Sequence, residues 1–348
     1  MYRMRFAEHV SDHQTWLDQY SEETLEPDLP ICDPHHHLWD GHLRAYAQKR
    51  YLIDEIVADV TSGHNVVSTV YIECGAMFRA DGPEHLKCVG ETEFVRGIAA
   101  MSDSGRYGPA RICAGIVGTA PLMMGDKLSA ETLDAQLAAG GGRFKGIRCG
   151  ATWDASPDVP NGRTEPPPEM YAEAEFRAGF AHLAPRGLSF EGWCYHPQIP
   201  LLTDLADAFP DVTIILDHFG GPVGIGPYAG KEDEVFAAWR ASVKPLSERP
   251  NVMAKLGGLV MEVNGFGWNQ RPTPPTSQEL MERTRRYYET TIEYFGVDRC
   301  MFESNFPVDK IAGTYNTLWN SFKRLTAGYS ADEKAALFHD TATRVYRL

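Results

Sequence analysis

The sequence predicts an α/β chain folded as a distorted (β/α)8 TIM barrel. Its 348 residues contain eight short apolar runs, and amphipathic, helix-like stretches fill the gaps between them. Strands that alternate with helices pair in parallel through crossover connections. The length suits one eight-unit barrel with insertions. An open doubly wound sheet is the second choice, because no G-x-G-x-x-G follows the first run.

The predicted elements follow one another in a regular order along the chain. The strands are expected at 31–35, 66–74, 110–118, 144–150, 188–196, 212–220, 252–260 and 300–307. The helices are expected at 84–103, 129–139, 170–184, 201–209, 234–249, 277–296, 313–326 and 330–346.

One barrel domain, residues 31–348, is expected after an N-terminal extension, residues 1–30. Within the extension, residues 9–21 are predicted to form a helix that Pro27 and Pro30 separate from the first strand. Two long segments, 151–170 and 261–280, follow strands 4 and 7. Loops after strands lie on the C-terminal face of a barrel, where active sites are built, so both are expected to form walls or lids of a pocket.

Composition narrows the class of partner. The formal net charge of −14 argues against nucleic acid, whose phosphates select basic surfaces. No apolar run approaches the roughly 18 residues of a membrane span. The seven cysteines are scattered without a C-x-x-C pair, which favours a reducing, cytoplasmic location. A small anionic substrate is the expected partner, and the sequence leaves open whether the chain forms a homo-oligomer.

The stretch "CDPHHHLWD" carries the first candidate site residues. Side chains alternate along a strand, so His35 and His37 share one face while His36 points the other way and is expected to be structural. An inward-facing H-x-H pair can place two imidazoles on one metal ion.

Polar residues also end most of the other predicted strands. They are Glu73, Arg148, His196, His218, Lys255, Glu303 and Asn305. Core packing does not require ionisable groups at these positions, because burying them is costly unless they are paired or functional. The set suits hydrolysis of an acyl compound. His35, His37 and His196 can hold Zn²⁺ with one position left for water, His218 can move protons, and Arg148 offers a planar fork for a carboxylate.

The motifs "DPHHHLWD", "FKGIRCG", "ILDHFGG", "MAKLGGL" and "CMFESNFPVD" resemble, in order and spacing, the amidohydrolase-2 family of the amidohydrolase superfamily. The likeness covers residues 30–348 and is strongest to the branch with 2-pyrone-4,6-dicarboxylate lactonase and L-fuconolactonase. It implies a TIM-like barrel that hydrolyses a lactone of a sugar acid or an aromatic-degradation intermediate. It also implies metal ligands at His35, His37 and His196, a catalytic His218, and substrate binding by Arg148. From their places at the strand ends, Lys255 and Glu73 are further candidates for substrate binding.

The eighth strand departs from this family pattern. Most relatives have an aspartate after the serine, whereas this chain has Asn305, in "ESNFP". An amide accepts no proton at neutral pH and is a weak metal ligand. The base is therefore open between His218 and Glu303, with Asp309 a weaker candidate. One divalent metal, most simply Zn²⁺, and a metal-free mechanism both remain open.

Three functions are therefore weighed. The first is a lactone hydrolase. The second is a metal-dependent, non-oxidative decarboxylase of an aromatic or muconate acid, because decarboxylases share these motifs. The third is a non-catalytic barrel that lost its strand-8 aspartate, against which the retained histidines argue.

Overall fold

The computed structural model describes residues 13–41 and 48–348, and nearly all of this part belongs to a single eight-stranded barrel. All eight neighbouring strands pair in parallel in chain order. The barrel strands are β1 Pro30–His36, β2 Asn65–Ile72, β3 Arg111–Gly118, β4 Phe144–Arg148, β5 Ser189–Gly192, β6 Ile214–Leu216, β7 Val252–Leu256 and β8 Cys300–Phe302. The predicted fold is confirmed, and every predicted strand overlaps an observed one.

The sheet nearly closes on itself just beyond the end of β8. Asn305 N donates to His35 O over 2.9 Å, and His37 N donates to Phe306 O over 2.8 Å. The buried Asp33 reinforces the closure, because its carboxylate accepts from Ser304 N at 2.9 Å. The first histidine run and the last strand are therefore neighbours in space.

Helices surround the barrel on its outer side, except the last one, which lies beneath it. They are α1 His13–Leu17, α2 Ile53–Val60, α3 Val89–Asp103, α4 Asp126–Gly140, α5 Ala174–Phe180, α6 Ile199–Ala208, α7 Glu232–Ser247, α8 Ser277–Phe295, α9 Tyr315–Leu325, α10 Ala331–Ala335 and α11 Thr341–Tyr346. Local sequence explains several starts. Thr276 and Glu279 form a capping box that begins α8, and Thr314 caps α9.

Two sequence expectations about helices need correction. Helix α2 was not predicted, although Ile53, Ile56 and Val60 bury one face at helical spacing. The helix expected at 9–21 is described only as His13–Leu17, and its predicted start lies outside the described residues. Leu17 is fully buried.

Strand alternation divides the hydrophobic residues into two sets. Outward positions such as Cys300 and Phe302 join the large core between the strands and the helices. Inward positions at the N-terminal end of the barrel form a separate apolar cluster, which we call the lower layer. It contains Cys32, Val70, Ile72, Val117, Ile215, Met253 and Met301, and Ala342, Val345 and Tyr346 of α11 close it from below.

The segment that precedes the first strand contacts one of the outer helices. The chain around residues 22–26 is held to α9, where Lys323 Nζ donates to the carbonyls of Leu25 and Glu26 at 2.8 Å. All seven cysteines are free, and six of them are buried. Within the described ranges, no helix has the length and apolar character needed to cross a membrane.

Candidate active site

Charged side chains lie directly above the lower layer, one alternation step further along the strands. Ile215, Met253 and Met301 are followed two residues later by Asp217, Lys255 and Glu303, on the same inward side. We call this set the upper layer. Its members are His35, Arg148, Glu191, Asp217, Lys255 and Glu303.

Glu303 joins two histidines at the centre of the upper layer. Its Oε1 lies 2.7 Å from His218 Nδ1, and its Oε2 lies 2.7 Å from His35 Nδ1. The two imidazole rings are 4.5 Å apart between centroids. A carboxylate accepts from Nδ1–H in both rings, so each ring directs Nε2 away from it. No described residue hydrogen-bonds Nε2 of His218, which leaves that atom for a substrate or water.

The same carboxylate sets the charge of His218. Burial alone lowers the pKa of His218, but the negative charge of Glu303 and its hydrogen bond outweigh burial and raise it above the ordinary value of 6.5. His35 differs. Burial and the positive charge of Lys255 hold its pKa well below the ordinary range, so its ring is neutral.

His37 occupies the inward position that the sequence predicts. Its Nδ1 donates to Ile72 O over 2.8 Å, which leaves Nε2 without a proton. That Nε2 lies 3.2 Å from His35 Nε2 and 3.3 Å from Asn305 Oδ1. Asn305 Nδ2 donates to Asp309 Oδ1 over 2.8 Å, and this bond orients the amide. Burial raises the pKa of Asp309 to about 7.

His36 faces the opposite side, as expected for the middle residue of the run. Its Nε2 lies 2.9 Å from Thr69 Oγ1, and its ring lies against Tyr71 at 5.9 Å. Burial lowers the pKa of His36 to about 3, so it remains neutral.

Local backbone features place these groups. His218 (φ 50°) and Asn305 (φ 53°) both adopt left-handed conformations, which cost roughly 1 kcal/mol or more for residues other than glycine. The glycines of "MAKLGGL" provide space: a Cβ on Gly258 would lie 2.2 Å from His218 Nδ1, and one on Gly257 would lie 2.4 Å from Glu303 Cγ. This glycine pair therefore lets the strand approach the His218–Glu303 contact.

Arg148 and Glu73 line the cavity, but protein contacts already engage both. Arg148 Nε donates to Glu73 Oε1 at 2.9 Å and Nη2 to Glu73 O at 2.6 Å, while Nη1 contacts His35 Nε2 at 3.2 Å and Asp217 at 3.5 Å. Burial raises the pKa of Glu73, but Arg163 and Arg148 outweigh it and the net pKa is lowered. Arg148 has few donors left for a substrate carboxylate.

Lys255 lies beneath the cavity rather than on its wall. It is fully buried, and its Nζ lies 2.8 Å from Glu191, 3.3 Å from His35 Nδ1 and 3.6 Å from Asp217. Burial alone would lower the pKa of Lys255, but these carboxylates raise it. Lys255 therefore neutralises buried carboxylates, and its predicted contact with a substrate has no opening in this arrangement.

His196 does not join the histidine pair. Strand β5 ends at Gly192, four residues before His196, and the chain turns there. His196 Nδ1 accepts from Val223 N at 3.3 Å, and its ring packs on Tyr228 at 5.2 Å. The structure therefore does not bring together the predicted three-histidine set.

A different set of residues can hold a metal ion. In the described part of the chain, His35, Asp217 and His218 form one buried group whose ligand atoms lie within 4.8 Å of one another. His35 and His37 form a second arrangement, which leaves His218 free: their unprotonated Nε2 atoms lie 3.2 Å apart, close to the roughly 3.3 Å between two ligands on one tetrahedral Zn²⁺.

Partners on the far ring nitrogens support this fit. Glu303 and the Ile72 carbonyl hold the Nδ1 atoms of His35 and His37, and metal-binding histidines commonly have such partners. The site therefore fits a divalent ion, although the guanidinium of Arg148 beside His35 opposes its positive charge.

Above this layer lies a cavity of about 1460 Å³. His37, Glu73 and Arg148 form part of its floor, and both predicted loop segments contribute walls, for example through Arg163 and Glu262. His218 is 2% exposed, and its ring lies 4.9 Å from that of the wall residue Trp193. The expectation that segments 151–170 and 261–280 form pocket walls is confirmed.

Three charged residues at the site are not among those predicted from the sequence. Arg163 donates to Glu73 Oε2 over 2.7 Å and is the only basic residue in segment 151–170, a signal that could have identified it. Glu191 interrupts the apolar run of strand five, and Asp217 immediately precedes His218. A carboxylate inside an apolar strand is expected to face another charged group.

A buried histidine–carboxylate site at the C-terminal ends of eight parallel strands is typical of TIM-barrel enzymes. The Amidohydro_2 family model, described as amidohydrolase, matches residues 32–348. The chain belongs to this amidohydrolase family, as the motifs indicated.

The chain is also similar to individual known proteins. The chain is 36% identical over 341 residues to an uncharacterized protein, y4mH, of Sinorhizobium fredii, covering 92% of this chain and 99% of that protein. It is 27% identical over 177 residues to an L-fucono-1,5-lactonase of Burkholderia multivorans, covering 51% and 57%. A crystal structure of a zinc-bound amidohydrolase of Burkholderia multivorans has a TM-score of 0.67 at 22% identity, covering 91% and 99%, and shows the shared fold.

Proposed function

We propose that this amidohydrolase hydrolyses a lactone of a small molecule that also carries an anionic group. The observation that carries the proposal is the buried His35–Glu303–His218 bridge below a cavity lined by arginines. The partial similarity to L-fucono-1,5-lactonases supports the choice of a cyclic ester.

In this proposal, His218 is the general base. Glu303 holds Nδ1, so Nε2 takes a proton from the water that attacks the lactone carbonyl. The C–O bond of the ring then breaks, and His218 returns the proton to the leaving alkoxide, giving a hydroxy acid. Glu303 is fully buried with both oxygens directed at histidines, so it acts through His218 rather than on water.

The carbonyl oxygen develops negative charge during attack. Arg148 presents a fixed positive charge at the cavity floor, where such charge is stabilised. A divalent ion held by His35, His37 and the amide oxygen of Asn305 would supply further polarisation of the carbonyl.

Arg163 is the better candidate for binding the anionic group. Its side chain is 46% exposed, against 9% for Arg148, and among the described residues only its Nη2 has a protein acceptor. A guanidinium has five N–H donors, so Arg163 keeps a fork free for a carboxylate.

The test is a panel of sugar-acid and aromatic-acid lactones assayed with the wild type and with His218→Asn. We expect the variant to lose at least about 100-fold in kcat/KM, because the proton acceptor is removed. His85→Asn is the matched control, since His85 also lines the cavity but pairs with Glu131. It should stay within a few-fold of the wild type.

Turnover of lactones by His218→Asn at the wild-type rate would overturn the mechanism. Release of CO₂ from aromatic or muconate acids, with no ring opening of any lactone, would instead identify the decarboxylase alternative.

A further inference from the structure

Exposed apolar side chains gather on one wall of the cavity. Five large hydrophobic residues are exposed in the described chain, and three of them, Phe78, Met123 and Met124, line this cavity. Their exposed fractions are 43%, 39% and 44%. Exposed apolar residues that cluster in a concave site usually mark a surface that binds something.

These side chains come from adjacent strand ends. Phe78 follows β2, and Met123 and Met124 belong to the short 3-10 turn Leu122–Met124 that follows β3. β2 and β3 are neighbours in the sheet, and the segments that follow them both line the cavity. We call Phe78, Leu122, Met123 and Met124 the apolar wall. Flexible methionines suit irregular apolar ligands.

The cavity is larger than a simple lactone requires. Its volume of about 1460 Å³ exceeds the roughly 300–1,000 Å³ that is usual for small-molecule sites. A single five- or six-membered ring fills only a small part of this volume, so a ring beside Arg148 and His37 leaves room for a further group.

Arg163 supplies a charge in the same cavity. It also lines the cavity, and within the described residues its hydrogen bond to Glu73 uses one nitrogen, Nη2. A ligand that combines an anion with an apolar group can therefore satisfy Arg163 and cover the apolar wall together.

We propose that the apolar wall is a binding subsite for the alkyl or aryl arm of an amphipathic, anionic small molecule whose anion binds Arg163. This inference rests on the proposed function in taking that molecule to be the lactone substrate. The proposed substrate therefore carries an apolar arm, which an unsubstituted sugar lactone lacks.

The test uses 8-anilinonaphthalene-1-sulfonate, an aromatic anion, in a fluorescence titration of the full-length protein. We expect saturable binding to the wild type and roughly tenfold weaker binding to Phe78→Ser and Met124→Ser. This is the loss expected when the probe no longer buries an apolar side chain on binding. Arg163→Gln should weaken binding similarly. Met101→Ser is the matched control, because Met101 is 38% exposed but does not line the cavity.

Three results would overturn the subsite: no saturable binding, equal weakening by Met101→Ser, or wild-type binding by Phe78→Ser and Met124→Ser. A change of oligomeric state in Phe78→Ser, with probe binding unchanged, would assign the wall to contact between copies of this chain.

The subsite and the proposed function can fail separately. His218→Asn should bind the probe as the wild type does, because the base does not contribute to this contact. In activity assays, Met124→Ser should raise the KM for alkyl- or aryl-substituted lactones. The KM for unsubstituted lactones should stay the same. Wild-type KM for both classes would overturn the subsite even if lactones are substrates.

Discussion

The lower and upper layers of the barrel interior lie one alternation step apart and have opposite chemistry. Val117, Ile215 and Met301 of the lower layer are packed with no exposure and carry no charge. Directly above, Asp217 and Glu303 are equally buried but ionisable. The first layer stabilises the fold by removing apolar surface from water, whereas burial of the second is costly unless every charge has a partner.

In the upper layer, ion pairs between neighbouring side chains offset the cost of burying charge. Lys255 lies near Glu191, Asp217 and Glu303, and its positive charge lowers the pKa of Asp217 against the opposing effect of burial. We therefore expect substitutions in the lower layer to change stability and substitutions in the upper layer to change catalysis.

The largest effect is expected for Glu303→Gln. A glutamine accepts from one Nδ1–H but presents an amide N–H to the other, so one of His35 and His218 loses its orientation. We expect a loss of about 100-fold in kcat/KM. His218 must be deprotonated to act as base, so the wild-type rate falls as pH drops through its raised pKa.

Without the carboxylate, the pKa of His218 should decrease, and the acidic limb of the kcat/KM profile should move to lower pH. A limb that stays in place or moves to higher pH would show that Glu303 does not tune His218.

Val117→Ala tests the lower layer. Strand β3 supplies no upper-layer residue, and Val117 is fully buried. We expect a loss of about 2 kcal/mol in the free energy of unfolding, from lost burial and the cavity left behind. Denaturant titration measures it, and kcat/KM should stay within a few-fold. A large loss of activity at unchanged stability would break the division between layers.

Asn305→Asp tests the metal capacity of the site. The substitution adds a negative charge beside His37, so zinc should bind at least about tenfold more tightly, as measured by competition with a chelator. The double variant Asn305→Asp/Asp309→Asn is the matched control, because it exchanges carboxylate and amide without adding a carboxylate. Zinc affinity equal to that of the wild type in both variants would exclude position 305 as a ligand.

Tyr346→Phe tests the boundary between the layers and should have the smallest effect. Its hydroxyl donates to the buried Glu191, which in turn pairs with Lys255. Loss of this bond should cost about 1 kcal/mol of stability, seen as a lower midpoint in thermal unfolding. If kcat also falls while the protein remains folded at the assay temperature, the C-terminal helix helps to position Lys255 below the site.

Sequence periodicity was sufficient for the architecture. The eight apolar runs, separated by amphipathic stretches, predicted the barrel, and only α2 among the larger helices was missed. That helix is only eight residues long, so its periodic signal in the sequence is short. The period of two also predicted that His35 and His37 share a face opposite His36.

Sequence periodicity did not predict which side chains pair with one another at the site. The sequence identified Arg148 and Lys255 as ionisable strand-end residues, but their partners around the barrel decide which of them remains open to a substrate. Arg148 donates to Glu73 and contacts His35, and Lys255 pairs with a carboxylate below the cavity floor. The loop residue Arg163 keeps N–H donors that no described residue accepts.

The sequence by itself determined the strand order, the inward face of the histidine run and the concentration of ionisable groups at the strand ends, because these depend on local periodicity. Only the tertiary structure decided that Glu303 bridges His35 and His218, which are 268 and 85 residues away, and that His196 turns aside. Barrel closure and register set those distances, and no local pattern encodes them.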